Sequence, residues 1–145
     1  MIGAMLATPP ALVSPCPRER ATYSRTWALC TGEGGAGNME KRVYRRSAHG
    51  WTLLYRRFDY GYPEGIAMAP DGFGIVWESR GTLLVTRDGG RRWTPRPDVA
   101  RPELDFGVSG RVLAHGVAFV TLARRGRRRV LETTDYGRTW RRVRR

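Results

Sequence analysis

Three side chains that could carry acid–base or nucleophilic chemistry lie within one six-residue stretch: Asp59, Tyr60 and Glu64. Carboxylates hydrolyse glycosidic bonds as acid, base or nucleophile, and a tyrosine can also form a covalent intermediate. Catalytic groups of this kind converge on a substrate from separate elements. Because these three are crowded on one loop, the spacing favours a connection between strands over a catalytic site.

The sequence contains few other groups suited to catalysis or to a cofactor. The 13 Asp and Glu residues are scattered, with no pair at a spacing that predicts facing carboxylates. The glycine-rich stretch 31–38 lacks the lysine of a phosphate-binding loop, and no helix is indicated after it. Two cysteines and two histidines make a zinc site of standard spacing improbable. We therefore predict neither a metal nor a cofactor.

Positive charge dominates the composition, since the formal net charge is +13 and all but Lys41 of the 26 basic residues are arginine. A coding bias toward arginine explains this usage more simply than a ligand does. The densest run comprises Arg124, Arg125, Arg127, Arg128 and Arg129. It lies between two apolar runs and so predicts a hairpin tip, which is either solvated or in contact with a polyanion. No aromatic platform or recognition helix accompanies it, which argues against specific nucleic-acid recognition.

The elements that would position these groups are indicated by a repeated pattern, T-x-D-x-G-x-x-W, whose two copies lie 47 residues apart. Each copy follows a short β-prone run, and a repeat at such a spacing indicates stacked supersecondary units. The aspartate can accept backbone N–H groups of a turn, the glycine supplies a positive φ, and the tryptophan packs on the returning strand. We therefore predict structural hairpins at Thr86, Asp88, Gly90 and Trp93, and at Thr133, Asp135, Gly137 and Trp140.

A third, degenerate copy precedes these two. It retains Ser47, Gly50 and Trp51, but His49 stands where the aspartate is expected, and the glycine lies closer to the tryptophan. The interval of 39 residues from His49 to Asp88 suits one unit with a variable loop.

These residues resemble the Asp-box (BNR) repeat of sialidase-type β-propellers, in which the box joins the third and fourth strands of a blade. The stretch 72–86 is similar to the strands that lead into the box in propellers of the photosystem II stability/assembly factor type. The resemblance covers residues 23–143 and implies that the box is structural and lies away from the ligand face. It also raises the alternative of a degenerate exo-α-sialidase, although that family's Arg-Ile-Pro motif is missing and Arg96-Pro97 follows a box instead.

We predict an all-β fold, a partial β-propeller of about three four-stranded antiparallel blades with Asp-box hairpins. Residues 1–22 form an irregular N-terminal segment or a divergent first strand. The repeat array spans 23–145, with blades at about 23–57, 65–97 and 104–143.

Apolar runs set the strand expectations within these blades. In the first blade we expect a strand over 23–30 and a further strand drawn from residues 1–15. In the third blade we expect one strand over 112–122. Three blades do not close a propeller, which needs about four to eight. The chain is therefore a piece of a longer propeller, a half-propeller that closes by dimerisation, or an open array, and open blade faces favour self-association.

Cys16 and Cys30 either form a disulfide, which indicates an oxidising compartment, or Cys30 is a small buried strand residue. The apolar stretch 1–16 lacks a basic region and contains three prolines, so it makes a poor signal peptide. No run reaches the length of a membrane span, about 20 apolar residues. The compartment stays open between cytoplasm and export.

Together these features predict a non-enzymatic propeller-type module that binds a protein or glycan ligand or serves as an assembly scaffold. One alternative is the sialidase-like glycoside hydrolase, for which Tyr60 and Glu64 are the residues to test. The other is a basic module that binds polyanions through its arginine run.

Overall fold

The computed structural model describes residues 13–16, 20–80, 82–101 and 107–144. These residues contain twelve β-strands and no helix. The strands are β1 (Arg20–Ser24), β2 (Trp27–Gly35), β3 (Asn38–Ser47), β4 (Gly50–Tyr60), β5 (Tyr62–Met68), β6 (Gly74–Ser79), β7 (Leu84–Thr86), β8 (Thr94–Pro95), β9 (Gly107–Val112), β10 (Ala118–Arg124), β11 (Arg127–Thr133) and β12 (Arg141–Arg142).

The strands form three four-stranded antiparallel sheets, each built from consecutive strands in chain order. We call them the first sheet (β1–β4), the second sheet (β5–β8) and the third sheet (β9–β12). Strands that follow one another in an antiparallel sheet need only short connections, which explains why turn residues recur at short intervals. The prediction of an all-β chain with about three four-stranded antiparallel units is confirmed.

The second sheet is covered on both faces because it lies between the other two. In β6, Val76 belongs to the core shared with the first sheet, whereas Ile75 belongs to the core shared with the third. A strand buried on both faces is apolar along its whole length rather than in alternation. All three residues of β7 are buried for the same reason.

Two hydrophobic cores lie between the sheets, and burial of apolar surface is the main favourable term that holds them together. The core between the first and second sheets consists of Trp27, Leu29, Val43, Ile66, Met68, Val76, Leu84 and Trp93. The core between the second and third sheets includes Phe73, Ile75, Leu83, Val85, Val108, Ala118, Val120 and Leu122.

The connections between strands divide into two ends. The box end holds the two predicted hairpin loops, the first box (86–93, between β7 and β8) and the second box (133–140, between β11 and β12). Each box is bonded to an earlier turn of its own sheet: Gly89 N donates to Gly72 O at 2.9 Å, and Tyr136 N donates to Gly116 O at 3.0 Å. The loop end holds the β2–β3, β6–β7 and β10–β11 connections, together with the links from one sheet to the next.

The expected single strand over 23–30 is wrong. The chain reverses at Arg25, whose φ is 52°, so that Tyr23 of β1 pairs with Ala28 of β2. A left-handed arginine is rare in isolation, and here Arg25 Nε donates to Met68 O of the second sheet at 3.1 Å. The turn therefore depends on a contact between sheets, which local sequence does not reveal.

The expected strand over 112–122 is also wrong, because the chain turns at His115 (φ 60°) and Gly116 (φ 75°) and starts β10 at Ala118. The expectation that residues 1–15 supply a strand of the first blade falls mostly outside the described residues. Arg20–Ser24 supplies the first strand, residues 13–16 lie in no strand, and residues 1–12 are outside the described part of the chain.

Candidate functional site

The first box is closed by hydrogen bonds from its threonine and its aspartate. Thr86 Oγ1 donates to Asp88 Oδ1 at 2.9 Å and accepts Gly90 N at 3.0 Å. Asp88 Oδ1 also accepts the amides of Arg91 at 3.1 Å and Arg92 at 2.9 Å. Desolvation raises the pKa of Asp88, but the hydrogen bonds to its ionised form from Arg92, Thr86 and Arg91 together outweigh it, so the pKa lies below its usual value.

The second box has the same geometry. Thr133 Oγ1 donates to Asp135 Oδ1 at 2.8 Å and accepts Gly137 N at 2.9 Å. Asp135 accepts the Thr139 hydroxyl at 2.5 Å and the Thr139 amide at 2.9 Å. The hydroxyl of Thr139 is the largest cause that lowers the pKa of Asp135 to about 2. Both carboxylates are therefore occupied in closing turns.

The indoles of the boxes differ in burial. Trp93 Nε1 donates to Gly90 O at 2.8 Å and Trp140 Nε1 donates to Gly137 O at 3.0 Å. Trp93 is 7% exposed and belongs to the core between the first and second sheets. Trp140 is half-buried at the edge of the other core. The first indole is therefore a core residue, whereas the second also borders the surface.

Each box also joins its sheet to the preceding sheet. Trp27 Nε1 of the first sheet donates to Gly89 O at 2.7 Å, and Arg87 Nε of the second sheet donates to Tyr136 O at 2.9 Å. In both boxes the accepting carbonyl belongs to the residue that follows the aspartate. The boxes are thus docking points between sheets, and their polar groups are used in structure.

The degenerate copy does not reproduce this geometry. Ser47 pairs with Gly50 across a two-residue turn, and Ser47 Oγ accepts His49 N at 3.1 Å. Trp51 is half-buried, and its indole N–H donates to Val13 O at 2.6 Å rather than to a residue of its own turn. Without the aspartate the loop that would aim the indole into the sheet is not built.

The catalytic candidates do not form a site. Asp59 is bound in ion pairs with Lys41 and with Arg57, whose Nε lies 2.8 Å from Asp59 Oδ2. Tyr60 is 50% exposed at the end of β4, and Glu64 is exposed on β5. The structure thus gives these three side chains separate environments.

A buried ion pair joins the first and second sheets beside this stretch. The Lys41 ammonium contacts the carboxylates of both Asp59 and Glu78, and Lys41 and Glu78 are each 1% exposed. Burial raises the pKa of Glu78 to about 7, against the attraction of Lys41, which lowers it. The sequence analysis missed this pair because the two residues are distant in sequence, and only the packing of sheets brings them together.

The arginine run divides into two groups. Arg125 and Gly126 form the β10–β11 turn, and Arg125, Arg127 and Arg128 are exposed at its tip. Arg124 and Arg129 are partly buried. Arg129 pairs with Leu122, a core residue on the face of the third sheet that packs against the second, and Arg124 lies two residues after Leu122 on the same face of β10.

These two arginines line a groove of about 390 Å³ that we call the arginine groove. Its lining residues come from the segment that follows β8 and from the third sheet: Asp98, Val99, Arg101, Arg124, Arg129, Leu131 and Trp140. Asp98 accepts Arg96 Nε at 2.9 Å and Arg96 Nη2 at 2.7 Å, so its charge is balanced by a bidentate pair. Three guanidinium groups therefore share one groove with the apolar Val99 and Leu131 and one indole.

Sequence reasoning missed the contribution of the inter-sheet segment to this groove. In the sequence, Arg96-Pro97 is noted only in contrast to the Arg-Ile-Pro motif of sialidases, and Arg101 carries no expectation. A usable signal was the alternation in β11, which places Arg129 and Leu131 on the same face of the strand.

No metal or membrane-spanning element is found in what the structure describes. Across residues 13–16, 20–80, 82–101 and 107–144, no group of three or more His, Cys, Asp or Glu side chains is placed to hold a metal ion. The same residues contain no helix that is long and apolar enough to cross a membrane.

Comparison with known proteins relates the chain to one architecture. No protein-family model matches the sequence, and no curated protein matches it. A solved structure described as YCF48 bound to D1 peptide, a β-propeller, superposes with a TM-score of 0.58 at 19% sequence identity. The fold is a partial β-propeller. The match covers 88% of this chain and 41% of that one, so the chain spans less than half the length of this structural neighbour.

Proposed function

We propose that this chain is a non-enzymatic binding module of the propeller type, and that its arginine groove holds a carboxylate-bearing segment of a partner protein. The observation that carries the proposal is the convergence of Arg101, Arg124 and Arg129 beside a half-buried indole, Trp140. The structural neighbour YCF48 is described as bound to a peptide, which supports a peptide as the ligand class over a glycan.

The chemistry of the groove favours an acidic peptide with apolar side chains. A guanidinium group carries five N–H donors in a planar fork that matches a carboxylate. Each of the three arginines already makes a contact within the chain, and a guanidinium can hold a second acceptor with its remaining donors. The half-buried Leu131 and Trp140 provide apolar surface next to the charges. Alternating acidic and aliphatic side chains on a peptide would use both kinds of surface.

A direct test uses fluorescence polarisation with a labelled decapeptide of alternating Glu and Leu, and a Lys/Leu decapeptide as the control probe. We expect saturable binding of the acidic probe only, weakened by salt because the charges are partly exposed. The double variant Arg124→Gln with Arg129→Gln should bind it about tenfold more weakly, a loss of about 1.4 kcal/mol.

The matched control is Arg125→Gln with Arg128→Gln, which removes the same charge from the exposed tip. We expect a loss of less than about threefold, because exposed charges act through the screened field alone. Equal losses in the two double variants would instead indicate non-specific polyanion binding. Heparin would then bind at least as tightly as the peptide.

The catalytic alternative has a separate test. With a fluorogenic sialoside we expect no turnover above the uncatalysed rate, since Asp59 is held in ion pairs. Turnover that Tyr60→Phe or Glu64→Gln abolishes would overturn the non-enzymatic proposal.

A further inference from the structure

The first sheet has an outer face that no other sheet covers in the described structure. Residues alternate along β2, so that Trp27 and Leu29 lie in the core with the second sheet while Ala28 and Cys30 face the other way. Ala28 and Cys30 are nevertheless 0% exposed. The outer face of the first sheet is therefore covered by something other than a sheet.

The cover includes residues 13–16, which we call the strap. Cys16 is joined to Cys30 by a disulfide with the Cα atoms 5.5 Å apart, and Cys16 itself is 4% exposed. The second sheet packs on the first, and the third packs on the second. The strap lies on the corresponding face of the first sheet, where no preceding sheet is described.

Two further attachments of the strap, among the residues that the structure describes, are hydrogen bonds from different strands. The Tyr23 hydroxyl of β1 donates to Ser14 Oγ at 2.8 Å, and Trp51 Nε1 of β4 donates to Val13 O at 2.6 Å. With the disulfide to β2, the strap is tied to three strands of the sheet. Tyr23 is 52% exposed and Val13 is 62% exposed. Hydrogen bonds at such exposed positions exchange readily with water and hold a segment weakly.

We propose that the strap is a redox-sensitive latch, and that its release uncovers Cys30 as a reactive thiol on the outer face of the first sheet. The disulfide is buried, so reduction begins when the weakly held strap opens locally. A dithiol reductant then attacks the disulfide as a thiolate, forms a mixed disulfide with one protein sulfur and releases the other as a thiol. Its second thiol then closes a cyclic disulfide. Two electrons and two protons pass to the protein, which ends with thiols at Cys16 and Cys30.

The behaviour of the strap after reduction depends on which of its attachments remain. The disulfide fixes Cys16 on Cys30 of β2, whereas after reduction the strap is linked to the first sheet only through the backbone that leads to Arg20 of β1. Of the attachments between described residues, the two exposed hydrogen bonds and the packing of the Cys16 side chain remain once the bond is reduced. The rest of the first sheet keeps its strand pairing and its core with the second sheet, neither of which involves Cys16. Reduction is therefore local opening rather than unfolding.

The experiment measures alkylation of Cys30 by iodoacetamide in the full chain. The variant Cys16→Ser represents the released latch, and the same variant in denaturant gives the rate of a fully exposed thiol. We expect native Cys16→Ser to react within about tenfold of that rate, because local opening is fast. The oxidised wild-type chain supplies the unreactive baseline. Protection of more than about a thousandfold in native Cys16→Ser would overturn the proposal.

A second variant separates release from residual docking. Adding Tyr23→Phe and Trp51→Phe to Cys16→Ser removes both strap hydrogen bonds. No further acceleration is expected if the strap has already left, whereas a clear acceleration would overturn the latch. Far-UV circular dichroism of the reduced wild-type chain must retain its β signal. Its loss would make the disulfide a structural crosslink and would also overturn the proposal.

Discussion

Lys41 is the single lysine of an arginine-rich chain, and it is also among the most buried side chains, 1% exposed between two sheets. Its ammonium contacts the carboxylates of Asp59 and Glu78. An ammonium is a compact charge on a flexible stem, whereas a guanidinium is a wide planar fork. A compact ammonium that contacts a buried and a partly exposed carboxylate at once gives a physical reason for lysine at this one position.

Glu78 makes stability depend on pH in the neutral range. An unfolded chain ionises this carboxyl near pH 4.5, but burial raises its pKa to about 7 in the folded protein. Between these values the folded state holds a proton that the unfolded state has lost. Stability should therefore fall as pH rises from about 4.5 through 7. Urea denaturation at half-unit pH steps measures this, and Glu78→Gln should flatten the slope. An equal slope in the variant would contradict the assignment.

Asp135 titrates in the opposite direction and at lower pH. Hydrogen bonds from Thr139 and Thr133 lower its pKa from 3.8 to about 2. Its contribution is therefore present above pH 4 and lost as pH falls toward 2. We expect Asp135→Asn to lower the melting temperature at pH 6, and the gap from wild type to shrink at pH 2. A constant gap across this range would show that the ionised form has no special role.

The sequence predicted the hydrogen bonds within the boxes well, but it gave no indication of the ion pair between Lys41 and Glu78. Threonine, aspartate and glycine act on amides within four residues, so their hydrogen bonds can be anticipated from spacing. Lys41 and Glu78 meet only because two sheets pack. Arg101 and Arg129 line the same groove for the same reason, since only packing brings these two residues together.

In the turns between strands, two glycines have almost the same backbone conformation but different surroundings. They therefore distinguish the cost of a strained backbone from the cost of overpacking. Gly137 of the second box has φ 78° and Gly126 of the β10–β11 turn has φ 76°. A Cβ at Gly137 would lie 2.7 Å from Val85 Cγ1, whereas one at Gly126 would meet nothing within 4 Å. The conformation penalises both alanines, but only one of them also collides with the core.

We therefore expect Gly126→Ala to cost about 1–2 kcal/mol of unfolding free energy from the left-handed conformation alone. Gly137→Ala should cost that amount plus about 1–3 kcal/mol from overpacking. Guanidinium denaturation of the two variants measures the difference. Equal losses would mean that Val85 moves aside without cost.

The existence of most strands could be predicted from apolar runs and turn residues. The residues at which some of them begin and end could not be predicted. Arg25 and His115 adopt left-handed conformations at the two turns that were expected to be strand. Arg25 has no glycine beside it, so composition gives no warning there, whereas Gly116 beside His115 was a turn signal inside the expected strand. The Arg25 turn is bonded to the second sheet, so information about its position lies outside the local sequence.

On the scale of the whole molecule, the boxes hold neighbouring sheets in register. Trp27 is 2% exposed, and its N–H reaches the backbone of the first box in the next sheet. Trp27→Phe keeps most of the ring but leaves Gly89 O without this donor. We expect a loss of about 1–2 kcal/mol in a denaturant titration.

The matched control is Trp51→Phe, because the Trp51 indole N–H donates to Val13 O of the strap and not to a neighbouring sheet. It should cost less than about 1 kcal/mol because the site is partly exposed. A larger loss in Trp51→Phe than in Trp27→Phe would contradict the view that boxes couple the sheets.

The number of sheets could be predicted because each is assembled from neighbouring strands, so counting hairpins was enough. What covers the outer face of the first sheet could not be predicted. Open faces were expected to favour association, yet on that sheet the strap is tied down through Cys16 and Cys30. The sequence left the pairing of the two cysteines open, and nothing in it indicated where the crossing segment would lie.

Because no strand of one sheet is borrowed from another in the described chain, each sheet is a continuous stretch of polypeptide. A ribosome releases the chain from its N-terminal end, and units that need no later residues can fold during synthesis. All strands of the first sheet are translated before those of the second, although contacts such as Arg25 with Met68 O form only when the second sheet is made. Each new sheet can therefore pack on strands that are already synthesised. Translation order and spatial order therefore coincide, which shortens the time for which the strongly apolar β6 and β7 are exposed in the cell.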